Sequence, residues 1–284
     1  MNYFHVDVFS EKPMTGNGLT VVFPKEPLNE TVMLDIAKEF KQFETIFLFQ
    51  DKSNSFTARI FTVDEELGFA GHPILGAAAV VHQNYFSDRQ TAAIRFQLSG
   101  RAIDVQSETS GTGYQVVMNQ GAPEFISQVE SCQYESVVKS LNIEAVDIDY
   151  SLPLEVVSTG LPYLLVPLKS DLHNVKISIP NFEAFLSNFG AKFVYVFNTQ
   201  TLECRTWDNN GLVEDVATGS AAGPLCAYLV KHGIRTEKEV IRLRQGSFVG
   251  RPSIIEGWAD SSKGTTEIFI RGRVSCFAKG SLSI

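Results

Sequence analysis

The hydrophobic pattern of the first third of the chain predicts short strands and two helices. Apolar or alternating runs rich in strand formers lie at residues 3–9, 19–23, 45–49 and 56–62. Asn29 precedes an apolar series at helical spacing, Met33, Ile36, Ala37 and Phe40, which predicts a capped amphipathic helix ending near Lys41. Gly71-His72-Pro73 opens a second helix, because proline at the first helical position marks a helix start.

The second half repeats this order of elements. Strands are predicted at residues 154–157, 164–168, 193–198 and 202–207. One helix is predicted at 182–189, and another follows Thr218-Gly219-Ser220 and ends at His232-Gly233, where Gly233 suits the left-handed position after a helix. Residues 121–151 are expected to contain the crossing between the halves.

One segment of the first half resembles a segment of the second half. Residues 66–72 (Glu-Leu-Gly-Phe-Ala-Gly-His) and 214–220 (Glu-Asp-Val-Ala-Thr-Gly-Ser) align their glutamates and their last glycines at one offset of 148, since 214 − 66 equals 219 − 71. The shared element order supports a duplication and predicts two similar α+β lobes. The expected lobes are 1–122, completed by a C-terminal strand near 276–284, and 123–284.

Composition narrows the class of protein. The chain has 284 residues, of which 44% are hydrophobic and 20% charged, as in soluble globular proteins. A formal net charge of −8 argues against nucleic acid or an anionic membrane as a partner, because both require a basic surface. The sequence shows neither a basic and apolar leader nor an apolar run of spanning length, so a cytoplasmic protein is expected.

Metal and nucleotide motifs are missing from the sequence. The four cysteines are scattered and form no C-x-x-C pair, and the five histidines form no H-E-x-x-H or H-x-H cluster. Neither G-x-G-x-x-G after a strand nor G-x-x-x-x-G-K-[ST] occurs. The expectation is therefore a protein with no metal and no cofactor, whose chemistry comes from side chains and backbone.

The two glycine-containing helix starts are candidates for binding an anion. Helix N-termini present N–H groups and a positive dipole, and glycine lets a ligand approach the backbone. If the lobes face each other through a pseudo-twofold axis, Gly71-His72 and Gly219-Ser220 converge on one cleft. The structural alternative is that both glycines make tight turns, with His72 and Ser220 as caps. Pro224 leaves two further options, a helix capped by Ser220 or one beginning at Pro224.

Two carboxylates are candidates for proton transfer or substrate orientation. Glu44 lies in Phe43-Glu44-Thr45-Ile46-Phe47, and aromatic neighbours that exclude water are expected to raise its pKa toward neutrality. The alternative is a glutamate at the exposed mouth of a buried strand. Asp215, beside Gly219-Ser220, either belongs to a solvated acidic loop, orients a substrate group, or holds a proton partner such as His72.

Long motifs resemble the PhzF-like phenazine biosynthesis family. The resemblance lies in residues 61–73 and 213–225, which contain the two glycine turns, and in the early Asn17, Phe43-Glu44-Thr45 and residues 245–253. These motifs occur in the family's order and extend over essentially the whole chain. The resemblance implies a diaminopimelate-epimerase-like α+β fold, with two pseudo-symmetric lobes that each wrap a β-barrel-like sheet around a central helix. It also implies a homodimer.

The resemblance implies a reaction and roles for particular residues. The reference activity is that of trans-2,3-dihydro-3-hydroxyanthranilate isomerase, which acts on a small cyclic carboxylic acid without a cofactor. The family's glutamate falls on Glu44, which would remove the C3 proton and return one at C1. The family's histidine, aspartate and serine fall on His72, Asp215 and Ser220. Asn17 is a substrate-binding candidate, and Gly71 and Gly219 would offer backbone N–H groups to the carboxylate.

Three functions are compatible with these residues. Epimerases and racemases of this fold use two opposed cysteines, but the equivalent turns here are Ala70-Gly71 and Thr218-Gly219, which favours a single glutamate over two bases. The alternatives to the reference reaction are a related isomerase or epimerase of another metabolite and a non-catalytic protein that binds a small acid. Phe43 is bulkier than the residue expected in the phenazine enzymes, which predicts a reshaped pocket.

Overall fold

The computed structural model describes residues 1–262 and 264–284, which form two compact units. The first unit comprises residues 1–119 and 271–284, and the second comprises residues 120–270. A search of the described residues found no helix with the length and hydrophobicity needed to span a membrane.

The first unit is a closed barrel of eight strands. The barrel strands are β1 (Asn2–Val8), β2 (Asn17–Phe23), β3 (Glu44–Lys52), β4 (Ser55–Phe61), β6 (Thr91–Leu98), β7 (Arg101–Ser110), most of β8 (Gly113–Gly121) and most of β16 (Glu267–Ser281). A ninth, short strand of this unit is β5 (Glu66–Leu67). The hydrogen-bonded order is β1-β2-β3-β4-β6-β7-β8-β16. The barrel closes because β1 also pairs with β16, while β5 pairs with β4 outside this path.

A helix that is buried over most of its length occupies the middle of this barrel. Helix α2 (Gly71–Tyr85) has twelve consecutive buried residues from Gly71 to His82, as expected for a helix that is apolar on all sides. Gly76 allows it to approach β1 and β2 closely, because a Cβ at this position would lie 2.4 Å from Leu19 Cδ2. Helix α1 (Glu30–Phe40) packs instead through one apolar face, and Asn29 caps it by accepting a hydrogen bond from Val32 N–H, as predicted.

The second unit is a mixed sheet around its own helix. Its strands are β9 (Glu124–Gln128), β10 (Glu155–Ser158), β11 (Pro162–Leu168), β12 (Phe193–Asn198), β13 (Glu203–Arg205), β14 (Ile241–Gln245) and β15 (Ser253–Asp260), in the order β15-β14-β13-β12-β11-β10-β9. Its helices are α3 (Tyr134–Ser140), α4 (Phe182–Ser187) and α5 (Gly219–Lys231). Because α5 contacts β10 and β11 as well as β15, the sheet curves around it.

The pairing pattern supports the duplication inferred from the sequence. In the first unit β2 and β3 are parallel and joined through α1, and β4 and β6 are parallel and joined through α2. In the second unit β11 and β12 are parallel and joined through α4, and β13 and β14 are parallel and joined through α5. Each unit therefore contains the same two crossovers, and α2 corresponds to α5.

The two central helices begin differently from the sequence expectation. Helix α2 begins at Gly71 with Ala70 as its N-cap, so Pro73 is its third residue rather than its first, and His72 is not a cap. Helix α5 begins at Gly219 with Thr218 as its N-cap, so the helix neither starts at Pro224 nor uses Ser220 as its cap. Pro224 lies inside the helix and cannot donate the usual bond to the Ser220 carbonyl. Gly233 has the expected left-handed conformation, with φ of 72°.

Candidate active site

The first unit brings three of the predicted residues together in its interior. Asn17 is the first residue of β2, Glu44 is the first residue of the parallel strand β3, and His72 lies in the first turn of α2. All three side chains are buried, and the exposed fraction of each residue is below 8%. Glu44 is therefore not a glutamate at an exposed strand mouth. Its burial agrees with that of the strand it begins, whose first five residues are all buried.

His72 stands between the amide and the carboxylate. Asn17 Nδ2 lies 3.4 Å from His72 Nδ1, and Glu44 Oε2 lies 3.2 Å from His72 Nε2. When Asn17 donates to Nδ1, the proton of a neutral imidazole lies on Nε2, facing Glu44. Despite its closeness to the carboxylate, Nε2 has no hydrogen-bond partner of adequate geometry among the described residues. A buried donor in this state can turn toward a ligand that supplies a better-aligned acceptor.

Burial sets the charge of His72. Loss of solvation lowers its pKa from 6.5 to about 3, because the charged imidazolium is disfavoured in a poorly solvated interior. The imidazole is consequently neutral at physiological pH. A neutral His72 can donate a hydrogen bond through Nε2, but it is a weak proton acceptor near neutral pH.

In the second unit, Asp215 is part of the turn that leads into α5. Its Oδ2 accepts a hydrogen bond from Thr218 Oγ1 at 2.5 Å, and its Oδ1 accepts one from Ala217 N–H at 3.4 Å. Asp215 is buried, so the predicted alternative of a solvated acidic loop is wrong for this residue. Ala221 and Ala222 both donate to the Thr218 carbonyl, which leaves the N–H groups of Gly219 and Ser220 ahead of the first helical bonds.

Two further residues hold this turn, and the sequence interpretation gave neither a role. The fully buried Gln245 donates to the Asp215 carbonyl at 2.9 Å, and its Oε1 accepts from Thr218 N–H at 3.1 Å. The buried Tyr163 places its hydroxyl 2.8 Å from Ser220 Oγ. Gln245 lies in a segment that resembled the family, but only the strand pairing brings it to the turn, and Tyr163 belongs to no motif.

The strand register shows which residues of the two units correspond. Phe47 pairs with Arg59 in the first unit, and Val196 pairs with Arg205 in the second. Counting three residues back along β3 and β12 matches Glu44 with Phe193, the first residue of each strand. The second unit thus has an apolar ring at the place where the first has its carboxylate.

The aligned glutamates of the repeat have a structural function. Glu66 pairs with Phe61 across β4 and β5, and Glu214 forms the corresponding bridge with Trp207. Each glutamate accepts two hydrogen bonds from one arginine. Arg59 donates to Glu66 at 2.7 and 2.5 Å, and Arg205 donates to Glu214 at 3.0 and 2.6 Å. In each hairpin the arginine lies on one strand and the glutamate on the other. The paired hydrogen bonds between them therefore fix the strand that leads to each helix start.

The predicted site residues therefore form two sets. Asn17, Glu44, Gly71 and His72 lie together in the first unit, and Asp215, Gly219 and Ser220 lie together in the second. Among the described residues, no group of three or more His, Cys, Asp or Glu side chains could hold a metal ion. A cavity of about 500 Å³ opens elsewhere in the first unit beside Arg59 and Gln97, and none of the predicted site residues lines it.

Comparisons with known proteins give this arrangement a family context. The family model described as phenazine biosynthesis-like protein matches residues 6–280. A trans-2,3-dihydro-3-hydroxyanthranilate isomerase from Pseudomonas chlororaphis is 29% identical, with 99% of each chain covered. An uncharacterised isomerase, YddE, from Escherichia coli O157:H7 is 30% identical over 89% of this chain and 88% of its own length.

Solved structures agree with this context. A structure described as a predicted epimerase from Pseudomonas aeruginosa is 38% identical, covers 100% of this chain and 99% of its own, and superimposes with a TM-score of 0.92. The predicted fold class, α+β and diaminopimelate-epimerase-like, is confirmed by the structural neighbours. The chain belongs to the phenazine biosynthesis-like (PhzF) family and is an isomerase.

Proposed function

We propose that the chain is a cofactor-independent isomerase that moves a proton on a small cyclic carboxylic acid, with Glu44 as its single acid/base group. The observation that carries the proposal is the buried set of Glu44, His72 and Asn17 at the start of α2, with 3.2 Å between the carboxylate and the imidazole. This set combines a proton carrier with a neutral hydrogen-bond donor at a helix N-terminus.

The neutral state of the His72 imidazole supports Glu44 as the single proton carrier. Since burial lowers the pKa of His72 to about 3, a proton taken by His72 near neutral pH would be bound weakly. Phe193 occupies the position of the second unit that corresponds to Glu44, so the repeat offers no second carboxylate there. Glu44 both removes and returns the proton, and His72 orients the substrate or stabilises charge that develops on it.

The substrate's carboxylate is bound by backbone N–H groups. The first turns of α2 and α5 begin at Gly71 and Gly219, and helix N-termini of this kind favour anions through unbonded N–H groups and the helix dipole. Ser220 Oγ and the Asp215 carboxylate bind polar groups of the substrate. The Asp215 side chain is oriented for this by Thr218 and Ala217.

The proposed reaction is the isomerisation of trans-2,3-dihydro-3-hydroxyanthranilate. Glu44 takes the proton from C3, the electron pair of that C–H bond enters the conjugated system, and the protonated Glu44 forms a new C–H bond at C1. The resulting enol then becomes the ketone. No electron leaves the substrate, and the proton balance closes on Glu44 alone.

The test follows solvent deuterium. The wild-type chain is incubated with trans-2,3-dihydro-3-hydroxyanthranilate in D2O, and product formation is followed by NMR and mass spectrometry. Deuterium at C1 of the product measures how often the proton on Glu44 exchanges with solvent before it is returned. Glu44→Gln is expected to lower turnover by about 10²- to 10⁴-fold, the usual contribution of a general acid/base group. Glu39→Gln, on the exposed surface of α1, is the matched control and should retain full turnover. A fully active Glu44→Gln would remove Glu44 from the mechanism.

A related epimerase or isomerase of another metabolite is the second candidate. The observation in its favour is the 38% identity to a structure described as a predicted epimerase, above the 29% to the hydroxyanthranilate isomerase. A screen of amino, hydroxy and cyclic acids for Glu44-dependent deuterium exchange distinguishes the two candidates. Tight binding of aromatic acids without exchange in any compound would favour a non-catalytic binding protein. The homodimer and the cytoplasmic location expected from the sequence stay predictions.

A further inference from the structure

The side-chain amide of Gln245 forms several hydrogen bonds to the turn that precedes the second central helix. It is the last residue of β14 and is fully buried. Its Nε2 donates to the Asp215 carbonyl and to Thr218 Oγ1, both at 2.9 Å. Its Oε1 accepts from Thr218 N–H at 3.1 Å and from Tyr195 Oη–H at 3.0 Å. One amide therefore makes four hydrogen bonds, three of them to the turn at 215–218.

These bonds tie both ends of the turn to the sheet. The carbonyl of Asp215 is at its beginning and Thr218, the N-cap of α5, is at its end. The next residue, Gly246, has φ of 84°, and a Cβ there would lie 2.7 Å from the Val216 carbonyl. The end of β14 thus contacts the turn closely along its length, and small shifts of Gln245 would move the Asp215 backbone and the first N–H groups of α5.

The other unit shows that the fold does not require this amide. Thr57 pairs with Gln97 in the first unit, whereas Glu203 pairs with Arg244 in the second. The next residue along each strand is Leu98 in β6 and Gln245 in β14, so a buried leucine stands at the corresponding position of the first unit. The shared topology therefore does not require an amide at this position.

We propose that Gln245 is a positioning residue that sets the orientation of the Asp215 carboxylate and of the Gly219 and Ser220 N–H groups toward the substrate. This inference rests on the proposed function, in which that turn binds the substrate's polar groups. Gln245 itself touches no substrate atom and acts through Asp215 and Thr218. Removing its bonds would weaken binding of a carboxylate more than it slows proton transfer at Glu44, so KM should rise while kcat is retained.

The experiment compares three variants with the wild type. Gln245→Leu copies the residue of the first unit and leaves the Asp215 carbonyl and Thr218 N–H buried without this partner. Gln245→Glu keeps the shape but replaces the Nε2 donor by a carboxyl oxygen. Leu243→Ala, on the same buried face of β14, is the control for general loss of stability. Anthranilate, a stable aromatic carboxylate, serves as the probe in calorimetric titrations, alongside steady-state kinetics with trans-2,3-dihydro-3-hydroxyanthranilate.

Gln245→Leu is expected to weaken anthranilate binding and raise KM about tenfold, as loss of buried hydrogen bonds at a binding turn does. It should also speed amide hydrogen exchange at residues 217–220. Gln245→Glu should bind anthranilate less well as pH rises, because the introduced carboxyl loses its proton and with it the donor to Asp215. Leu243→Ala should lower the unfolding midpoint yet leave anthranilate affinity within about twofold of the wild type.

Two outcomes would overturn the positioning role. Wild-type affinity and exchange in Gln245→Leu would do so, and so would an equal loss of affinity in Leu243→Ala. Failure of the proposed reaction is distinguishable from both. In that case the wild type shows no Glu44-dependent turnover of trans-2,3-dihydro-3-hydroxyanthranilate, while faster exchange at 217–220 and weaker anthranilate binding in Gln245→Leu would still support the positioning role.

Discussion

The two units present the same helix start with different chemistry beside it. In the first, Glu44 and His72 form a buried pair 3.2 Å apart. In the second, Phe193 corresponds to Glu44 by strand register, and Ser220 corresponds to His72 by its position in the helix. The Ser220 hydroxyl contacts the Tyr163 hydroxyl. The crossovers and the central helix are common to both units, so the topology alone does not determine the chemistry. In both units the central helix begins at a glycine, while only the first unit has a buried carboxylate–imidazole pair beside that start.

The arginine–glutamate pairs offer the strongest test of how far the two units differ. The Arg205 and Glu214 side chains are 10% and 8% exposed, whereas those of Arg59 and Glu66 are 29% and 30% exposed. Glu214→Gln leaves a buried guanidinium without its counter-charge and should lower the free energy of unfolding by about 3–5 kcal/mol. Glu66→Gln removes a pair that water partly screens and should cost about 0–1 kcal/mol. Urea unfolding of both variants measures the difference.

Arg205 has other contacts that could soften this loss. Its Nη1 donates to the carbonyls of Leu172 and Val175 at 2.5 and 3.2 Å, and its guanidinium lies over the rings of Trp207 and Phe248. If Glu214→Gln cost no more than Glu66→Gln, these contacts rather than the ion pair would hold the hairpin. Glu256→Gln, whose partner Arg242 is 74% exposed, is a further control and should have a small effect.

Much of the fold was predictable from local sequence, because caps and apolar periodicity act over a few residues. The Asn29 cap, the apolar face of α1 and the left-handed Gly233 were all predicted and are confirmed. The repeat was visible because the Arg–Glu hairpins and glycine turns constrain the same positions in both halves. The exact helix starts were not, since Gly71 and Gly219 begin helices without a side-chain cap in the described structure.

The site was predicted less completely, for a physical reason. Glu44, His72 and Asp215 stand in motifs that a sequence can display. Gln245 lies 30 residues from Asp215, and only the parallel pairing of β13 with β14 brings it to the turn. The match between Glu44 and Phe193 likewise depends on strand register, which a one-residue slip would change completely.

Each central helix contains a glycine that allows a close contact, but the contact is apolar in the first unit and polar in the second. A Cβ at Gly76 would lie 2.4 Å from Leu19 Cδ2, in an apolar contact, whereas a Cβ at Gly223 would lie 1.9 Å from Gln120 Oε1. Alanine at either position should destabilise the chain by about 1–3 kcal/mol, since overpacking outweighs the better helix propensity of alanine. Thermal unfolding of Gly76→Ala and Gly223→Ala measures this.

Double variants separate the two kinds of contact. Gln120 donates to the Gly219 carbonyl and accepts from Thr159 Oγ1, so the clash in Gly223→Ala also disturbs a hydrogen-bond network. Gly223→Ala should cost less when Gln120→Ala is already present, and Gly76→Ala should cost less in the Leu19→Ala background. Strict additivity in either pair would mean that the helix moves away from the contact rather than straining it.

The dependence of stability on pH tests the difference between His72 and Ser220 directly. Because the pKa of His72 is about 3 in the folded chain and 6.5 without burial, the unfolded chain binds more protons between these values. Stability from this residue is therefore present above pH 6.5 and is lost as pH falls, by about 1.4 kcal/mol per pH unit. His72→Gln should flatten this slope in urea unfolding, whereas His173→Gln, whose side chain is 76% exposed, should not. An unchanged slope in His72→Gln would show that the imidazole accepts its proton in the folded state, and Glu44 would then have a charged neighbour at low pH.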